Sequence, residues 1–259
     1  MAQFHHPNIV LLHGVVIYQD KNISLVMEFL NGGDLSERLK NRHRGNGVDT
    51  NTPLVLLNYS IQVTLGMLYL SEKGFVHRDL AARNVLISDK DICKIGDFGM
   101  SRELEDSIYY RSAGGIIPIK WTAPEAAFYK KYSTASDVWS YGCILYEIWS
   151  LGEKPFSSLL NNEVLEKVTA GFRLPPPPGC SRDIYKLMID CWNPVPASRP
   201  TFKDILTLLI SDEEELLAIP FEDALTDRDA FRVGAPLKAG HKMYSSLQTK
   251  YLGNSSTII

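Results

Sequence analysis

The sequence has 259 residues, of which 45% are hydrophobic and 22% are charged, and its formal net charge is −3 at pH 7. A chain of this length and composition can bury one substantial core, and its balanced charge gives no reason to expect a nucleic-acid partner. The 4 cysteines include no C-x-x-C pair, which favours reduced, packed thiols and a cytoplasmic protein.

A β-hairpin is predicted near the start of the chain. Apolar runs at residues 9–16 and 23–29 are separated by the polar residues 19–22, which have the composition of a turn. Because both runs are almost wholly apolar, we expect both strands to be buried. Asp34 then has the position of an N-cap for a short helix that continues to Lys40.

The remainder of the chain has helical periodicity. Apolar residues recur at helical spacing over residues 53–73, and Gly74 follows as a stop signal. We predict no membrane-spanning helix, because His, Lys, Asp or Pro interrupts each candidate and no run approaches the roughly 18 apolar residues that one requires. Residues 211–259 begin with an acidic run and have weak periodicity, so we predict a flexible tail. Further helices are predicted at residues 134–149, 161–170, 181–192 and 201–210.

Three short motifs occur in the order in which protein kinases carry them. Residues 77–84 are HRDLAARN, residues 97–99 are DFG and residues 123–125 are APE. A lone DFG arises often by chance, but the three motifs in this order are a strong combined signal. The sequence therefore resembles the protein kinases, in which the first two are the catalytic loop and the magnesium-binding motif.

This resemblance covers about residues 1–210 and implies an α+β, protein-kinase-like fold, mainly its helical C-terminal lobe. Residues 1–30 are expected to be a remnant of the small-lobe β-sheet with the hinge. Residues 31–210 are then the C-terminal lobe, and residues 211–259 the C-terminal tail. The sequence contains neither a G-x-G-x-x-G loop nor a V-A-I-K strand. It thus resembles a catalytic domain that lacks most of its N-terminal lobe.

By the same resemblance, ATP and Mg²⁺ are the cofactors and four residues carry the chemistry. Asp79 accepts or orients the proton of the substrate hydroxyl, and Arg83 approaches the transferring phosphate. Asn84 and Asp97 supply the oxygen ligands that Mg²⁺ prefers. Without the resemblance, each carboxylate has another interpretation, as a loop cap or a surface charge.

The resemblance also implies a nucleotide site at the hinge. Met27 is expected to be the gatekeeper, and backbone groups of Glu28 and Leu30 to bind the edge of adenine. Leu86 is expected to form the floor beneath the adenine ring. Without the resemblance, residues 23–29 are interpreted only as a buried strand.

Five residues are expected to be structural. In kinases, the residues that match His77 and Phe98 join a hydrophobic column rather than contacting substrate. Asp137 is expected to hold the backbone of the catalytic loop. Arg199 is expected to pair with Glu125 beneath the activation segment, and loss of either would leave a buried charge unpaired.

Two features resemble the tyrosine-specific branch of the kinases. Residues 81–83 are AAR, whereas serine/threonine kinases have a Lys two residues after the catalytic Asp. Pro118 and Trp121 resemble the shelf on which the phenol ring of the substrate packs. The alternative for Trp121 is an aromatic anchor in a loop.

Regulation by phosphorylation is expected between the DFG and APE motifs. Tyr109 and Tyr110 are adjacent there, and a phosphate on either would add about two negative charges. Arg78 and Arg102 are the expected partners of that phosphate. The alternative is that both tyrosines only pack against the domain.

The tail contains candidate docking sites. Tyr244 and Tyr251 lie in polar surroundings and are candidate phosphotyrosine sites for adaptor proteins. The chain ends at Ile259, two residues after a threonine, as a ligand of a PDZ domain does. The other expected partners are protein substrates that contain tyrosine.

Two hypotheses of different classes remain open. The first is a receptor-like protein tyrosine kinase that acts in signal transduction, located in the cytoplasm or forming the cytoplasmic part of a plasma-membrane receptor. The second is a catalytically inactive, truncated kinase that acts as a binding scaffold. The catalytic residues favour the first, and the missing phosphate-binding motifs favour the second.

Overall fold

The structure is a computed structural model that describes residues 4–18, 23–43, 53–97, 102–103 and 118–218. The chain divides into two units, Met1–Glu213 and Glu214–Ile259. The first unit contains the strands and nearly all of the helical residues described below. Of the second unit, only residues 214–218, the end of the last helix, are described.

The predicted hairpin consists of β1 (Leu12–Ile17) and β2 (Ile23–Met27), which pair in antiparallel orientation. The expectation that both strands are buried was wrong. Large apolar side chains are exposed along both strands, including Ile17 at 72% and Ile23 at 65%. A two-stranded sheet cannot cover its own faces, and neither strand packs extensively on another described element.

The first two helices form where the sequence predicts them. Helix α1 (Leu35–His43) begins at Asp34, whose Oδ1 accepts the N–H of Glu37 at 2.9 Å. Helix α2 (Pro53–Glu72) is followed by Gly74 in the left-handed conformation, with φ of 67°. Because Gly has no Cβ, it adopts this conformation without strain.

Helix α2 corrects the prediction about membrane spans. By length and composition it could cross a membrane, since no charged residue interrupts residues 53–71. However, 72% of its most apolar stretch is buried inside the protein. Among the helices that the structure describes, it is the only one long and apolar enough to cross a membrane, and its burial is typical of a core helix.

Short strands follow α2: β3 (Phe75–Val76), β4 (Val85–Ile87), β5 (Cys93–Ile95) and β6 (Arg102–Glu103). Strand β4 pairs with β5, and β3 pairs with β6, both in antiparallel orientation. The segment before β1 pairs with β5. The N–H of Val10 donates to the carbonyl of Ile95, and the N–H of Ile95 donates to the carbonyl of Asn8, each at 2.9 Å. This pairing fixes residues 8–10 beside β5.

The C-terminal half is helical, as predicted, and it contains one helix, at residues 124–129, that was not predicted. Its helices are α3 (Pro124–Tyr129), α4 (Thr134–Trp149), α5 (Asn161–Thr169), α6 (Arg182–Cys191) and α7 (Phe202–Ala218). Helix α4 is the centre of the core, and every residue from Ser136 to its end is buried. Ser133 caps it, since its side chain accepts the N–H of Ser136 at 3.3 Å.

The last helix is longer than predicted. The sequence predicts an end at residue 210, whereas α7 continues to Ala218. Residues 213–217 are three glutamates and two leucines, and both residue types are good helix formers. The acidic run therefore continues the helix.

Candidate active site

The backbone of the catalytic loop is attached to helix α4. The carboxylate of Asp137 accepts the N–H of His77 at 2.7 Å and that of Arg78 at 3.0 Å. Asp137 is buried, and burial raises its pKa to about 7, although both hydrogen bonds favour the carboxylate. Arg78 has φ of 73°, a conformation that Asp137 stabilises by holding the adjacent N–H groups.

His77 connects the catalytic loop to the residue before Asp97. Its Nε2 lies 3.0 Å from the carbonyl oxygen of Gly96, and its Nδ1 accepts the N–H of Asp79 at 3.3 Å. Since Nδ1 accepts, Nε2 carries the proton in this arrangement, and the ring is neutral. Burial lowers the pKa of His77, which also favours the neutral ring.

The polar residues of the loop converge at one end of the β4–β5 hairpin. Arg83 forms an ion pair with Asp79, and Nδ2 of Asn84 donates to the carbonyl of Asp79 at 2.6 Å. The carbonyl of Asn84 accepts the N–H of Gly96 at 2.9 Å. Because Asp97 directly follows Gly96, the backbones of Asn84 and Asp97, the two predicted magnesium ligands, lie close together.

An aromatic side chain lies against this cluster. The guanidinium of Arg83 is 4.6 Å from the centre of the Trp121 ring, a distance typical of a cation–π contact. Trp121 is anchored at its backbone, where its N–H donates to the carbonyl of Pro118 at 2.9 Å. The predicted shelf residues thus adjoin the predicted catalytic residues through Arg83.

The predicted hinge is attached to strand β5. The N–H of Glu28 donates to the carbonyl of Leu11 at 2.9 Å, and its carboxylate accepts the N–H of Leu11 at 2.7 Å. Lys94 also contacts that carboxylate, at 2.8 Å. Burial opposes ionisation, but the hydrogen bonds from Lys94 and Leu11 hold the pKa of Glu28 below its ordinary value.

Of the other predicted nucleotide residues, Met27 and Leu86 lie on the two hairpins and Leu30 follows β2. Leu86 is opposite Lys94 in the β4–β5 hairpin, so it shares a face with the partner of Glu28. Leu30 is half-buried, whereas Met27, at the end of β2, is exposed.

Glu125 and Arg199 form a separate buried pair. Two nitrogens of the guanidinium donate to the two carboxylate oxygens at 2.6 and 2.9 Å. Arg199 also donates to the carbonyls of Asn193 and Ala135, at 2.9 and 2.8 Å. This pair joins the loop that precedes α7 to the start of α3.

Comparison with known proteins identifies the family. Residues 1–209 match the family described as protein tyrosine and serine/threonine kinase. The chain belongs to this kinase family. The predicted recognition, the kinase fold class and the enzyme class, a protein-tyrosine kinase by family, are thereby confirmed.

Individual relatives are ephrin receptors. The chain is 46% identical over 211 residues to ephrin type-A receptor 5 of Rattus norvegicus, a match that covers 81% of the chain and 20% of the relative. It is 44% identical over 211 residues to ephrin type-A receptor 8 of Rattus norvegicus, covering 81% of the chain and 55% of that relative. The chain therefore spans only part of the length of these relatives.

One kinase-site residue was not predicted from the sequence. Oε2 of Glu147, on α4, accepts the N–H of Ala82 at 3.0 Å and the indole N–H of Trp121 at 2.9 Å. The available signal was that Asp137 and Glu147 are the charged residues of an otherwise uncharged helix. A charge on the buried face of a helix requires polar partners, but the sequence does not say which.

The stability of the kinase fold is expected to depend on the protonation of Glu147. Burial raises its pKa from 4.5 to about 7, although Ala82, Trp121 and Arg83 all favour the carboxylate. Between these pH values the folded state holds the proton more tightly than the unfolded chain, so the free energy of unfolding falls as the pH rises. For one group the slope is at most about 1.4 kcal/mol per pH unit.

Urea denaturation of the wild type and of Glu147→Gln at several pH values between about 5 and 8 measures this slope. The variant cannot titrate at residue 147, so its stability should fall less steeply with pH. Asp137 titrates in both proteins, so the difference isolates Glu147. Equal slopes would contradict the prediction.

Several predicted kinase residues lie outside the described residues. These are Phe98, Tyr109, Tyr110, Tyr244, Tyr251 and Ile259. The backbone of Arg102 is described in β6, opposite Val76, but its side chain is not. The guanidinium of Arg78 lies 5.2 Å from the ring centre of Tyr132.

The two predicted magnesium ligands, Asn84 and Asp97, fit an ion that is held together with nucleotide phosphates better than one held by the protein alone. Within the described ranges, no cluster of three or more His, Cys, Asp or Glu side chains occurs. Kinase Mg²⁺ is held by few protein oxygens together with substrate phosphates, which is the donor set that Asn84 and Asp97 offer. These two residues therefore fit the ion that the family uses.

Proposed function

We propose that this protein is a tyrosine kinase of signal transduction, which transfers the γ-phosphate of ATP to tyrosine hydroxyls of protein substrates. The observation that carries the proposal is the cluster of Asp79, Arg83 and Trp121. It combines a carboxylate, a cation and an aromatic surface, which suit the proton, the phosphate and the phenol ring of the reaction.

The residues have distinct roles in the proposed reaction. The tyrosine oxygen bonds to the γ-phosphorus, the bond from that phosphorus to the β–γ bridging oxygen breaks, and ADP leaves. The carboxylate of Asp79 orients the hydroxyl and takes its proton. Arg83 contacts the transferring phosphate, and Pro118 and Trp121 support the phenol ring.

Asn84 and Asp97 would hold Mg²⁺ with the phosphates of ATP. The ion neutralises the charge on the phosphate oxygens when bound. Met27, Glu28, Leu30 and Leu86 would surround the adenine. Support comes from the Glu28–Lys94 ion pair, which holds residue 28 near the β4–β5 hairpin.

The proposed kinase function also suggests how the protein is regulated and where in the cell it lies. Phosphorylation of Tyr109 or Tyr110 would provide an anion for Arg78 and Arg102. The relatives are named as receptors, so we place the protein on the cytoplasmic side of a membrane receptor. Adaptors that bind phosphotyrosine at Tyr244 or Tyr251, and a PDZ domain at Ile259, are further proposed partners.

A phosphotransfer assay tests the proposed function. The complete transcript is first sequenced through the codon for Met1, and the protein that it encodes is produced. This protein is incubated with Mg-ATP and two peptides that differ only in having Tyr or Ser at the acceptor position. The tyrosine peptide is expected to be phosphorylated, and chelation of Mg²⁺ is expected to abolish the reaction. Equal labelling of both peptides would refute tyrosine specificity.

The binding scaffold is the second candidate. It applies if the protein that contains these residues has no G-x-G-x-x-G loop and no V-A-I-K strand to position the phosphates of ATP, since neither motif lies within residues 1–259. A stop codon just upstream of Met1, together with no transfer to the tyrosine peptide, would establish it. An upstream reading frame that encodes both motifs would favour the active kinase.

A further inference from the structure

We infer that Glu147 is a positioning residue, which fixes the substrate shelf relative to the catalytic loop through a single carboxylate oxygen. The contact itself is independent of enzymatic activity. Its effect on substrate tyrosine rests on the proposed function.

The first step is the geometry of the oxygen. Oε2 of Glu147 accepts the N–H of Ala82 at 3.0 Å and the indole N–H of Trp121 at 2.9 Å. Ala82 begins the turn that carries Arg83 and Asn84, whereas Trp121 belongs to the segment before α3. One atom thus joins two segments that are distant in sequence.

The second step is the rigidity of the support. Glu147 is 4% exposed and lies in the last turns of α4, all of whose neighbouring residues are buried. The same helix holds the backbone of His77 and Arg78 through Asp137. Ser140 of the same helix also donates to the carbonyl of Trp121 at 2.8 Å. Helix α4 therefore holds both the catalytic loop and Trp121 at two points each, and Glu147 alone contacts both segments, so these parts move together.

The third step is the connection to Asp79. The Trp121 ring, held at its nitrogen by Glu147, supports the guanidinium of Arg83 at 4.6 Å, and Arg83 pairs with Asp79. A displaced Trp121 would release both the phenol-binding surface and Arg83. Catalysis depends strongly on such alignment, so a small displacement should slow transfer to the peptide without changing ATP binding.

Two substitutions at residue 147 distinguish the effect of the hydrogen-bond acceptor from the effect of side-chain packing. Glu147→Gln retains an oxygen that can accept both hydrogen bonds. Glu147→Met retains most of the volume but leaves two buried N–H groups without an acceptor. Trp121→Phe removes only the indole N–H and keeps an aromatic ring for Arg83.

The first measurement requires no activity. The indole ¹H–¹⁵N resonance of Trp121, assigned by its loss in Trp121→Phe, is recorded for the wild type and both variants at residue 147. Glu147→Met should shift it upfield, toward the position of an unbonded indole, and Glu147→Gln should leave it nearly in place. Equal shifts in the two variants would overturn the inference.

The second measurement is kinetic and uses the phosphorylating protein. Glu147→Met should lower kcat/KM for the tyrosine peptide about 10-fold with an unchanged KM for ATP, and Glu147→Gln should recover most of the loss. In the Trp121→Phe variant, adding Glu147→Met should lower kcat/KM for the tyrosine peptide less than it does in the wild type. A changed KM for ATP, or full additivity of the two substitutions, would refute the positioning role.

The two measurements also separate this inference from the proposed function. If the wild type phosphorylates neither peptide, the proposed function fails, while the Trp121 resonance still decides whether Glu147 holds the shelf. If Glu147→Met does not fold, Trp121→Phe replaces it. That variant should lower kcat/KM for the peptide with KM for ATP unchanged, and wild-type values for both would overturn the inference.

Discussion

Replacing Arg199 with alanine is expected to lower the free energy of unfolding by about 3–5 kcal/mol. The Arg199 side chain is 0% exposed and that of Glu125 only 17%, so truncation leaves a carboxylate with little access to water. The variant also removes the donors for the carbonyls of Asn193 and Ala135. Equilibrium urea denaturation at neutral pH, followed by tryptophan fluorescence, measures the change.

The matched control is Lys186→Ala on α6. Lys186 pairs with Asp190 at 2.6 Å, a distance equal to that of the buried pair, but its side chain is 71% exposed. Water and salt screen this pair, so its loss should have little measurable effect. Similar losses for the two variants would show that burial does not determine the strength of the Arg199–Glu125 pair.

The sequence predicts most helices of this fold to within one or two residues. Strong periodicity and clear end signals, such as Asp34 and Gly74, define them locally. The burial of the hairpin was predicted wrongly, because apolar composition says that a strand can be buried and not that another element covers it. The end of α7 was predicted too early, because Glu residues indicate solvent exposure as well as helix.

The sequence predicts which residue types carry the chemistry, but less about what holds them in place. The order of the HRD, DFG and APE motifs indicates the kinase family without any structural information. Glu147 and the Glu28–Lys94 pair were missed, because they join residues 65 and 66 positions apart. Such contacts are determined by the packing of whole elements, for which a single sequence has no local signal.

The largest effect on activity is expected from Asp79→Asn, which should lower kcat for the tyrosine peptide about 10²–10⁴-fold. The amide cannot take the proton of the hydroxyl, and it loses the charge that pairs with Arg83. The loop should keep its shape, because Asn84 bonds to the backbone carbonyl of residue 79 and His77 accepts its backbone N–H. Steady-state kinetics with Mg-ATP measure the change.

Asp89→Asn is the matched control, because it makes the same chemical change at an exposed residue in the turn between β4 and β5. Its kcat should equal that of the wild type, and the KM for ATP should be unchanged in both variants. If Asp79→Asn retained wild-type kcat, the hydroxyl proton would have to leave by another route, such as a phosphate oxygen of ATP. Alignment by Arg83 and Trp121 would then be the main contribution of the cluster, and Arg83→Ala would become the more damaging substitution.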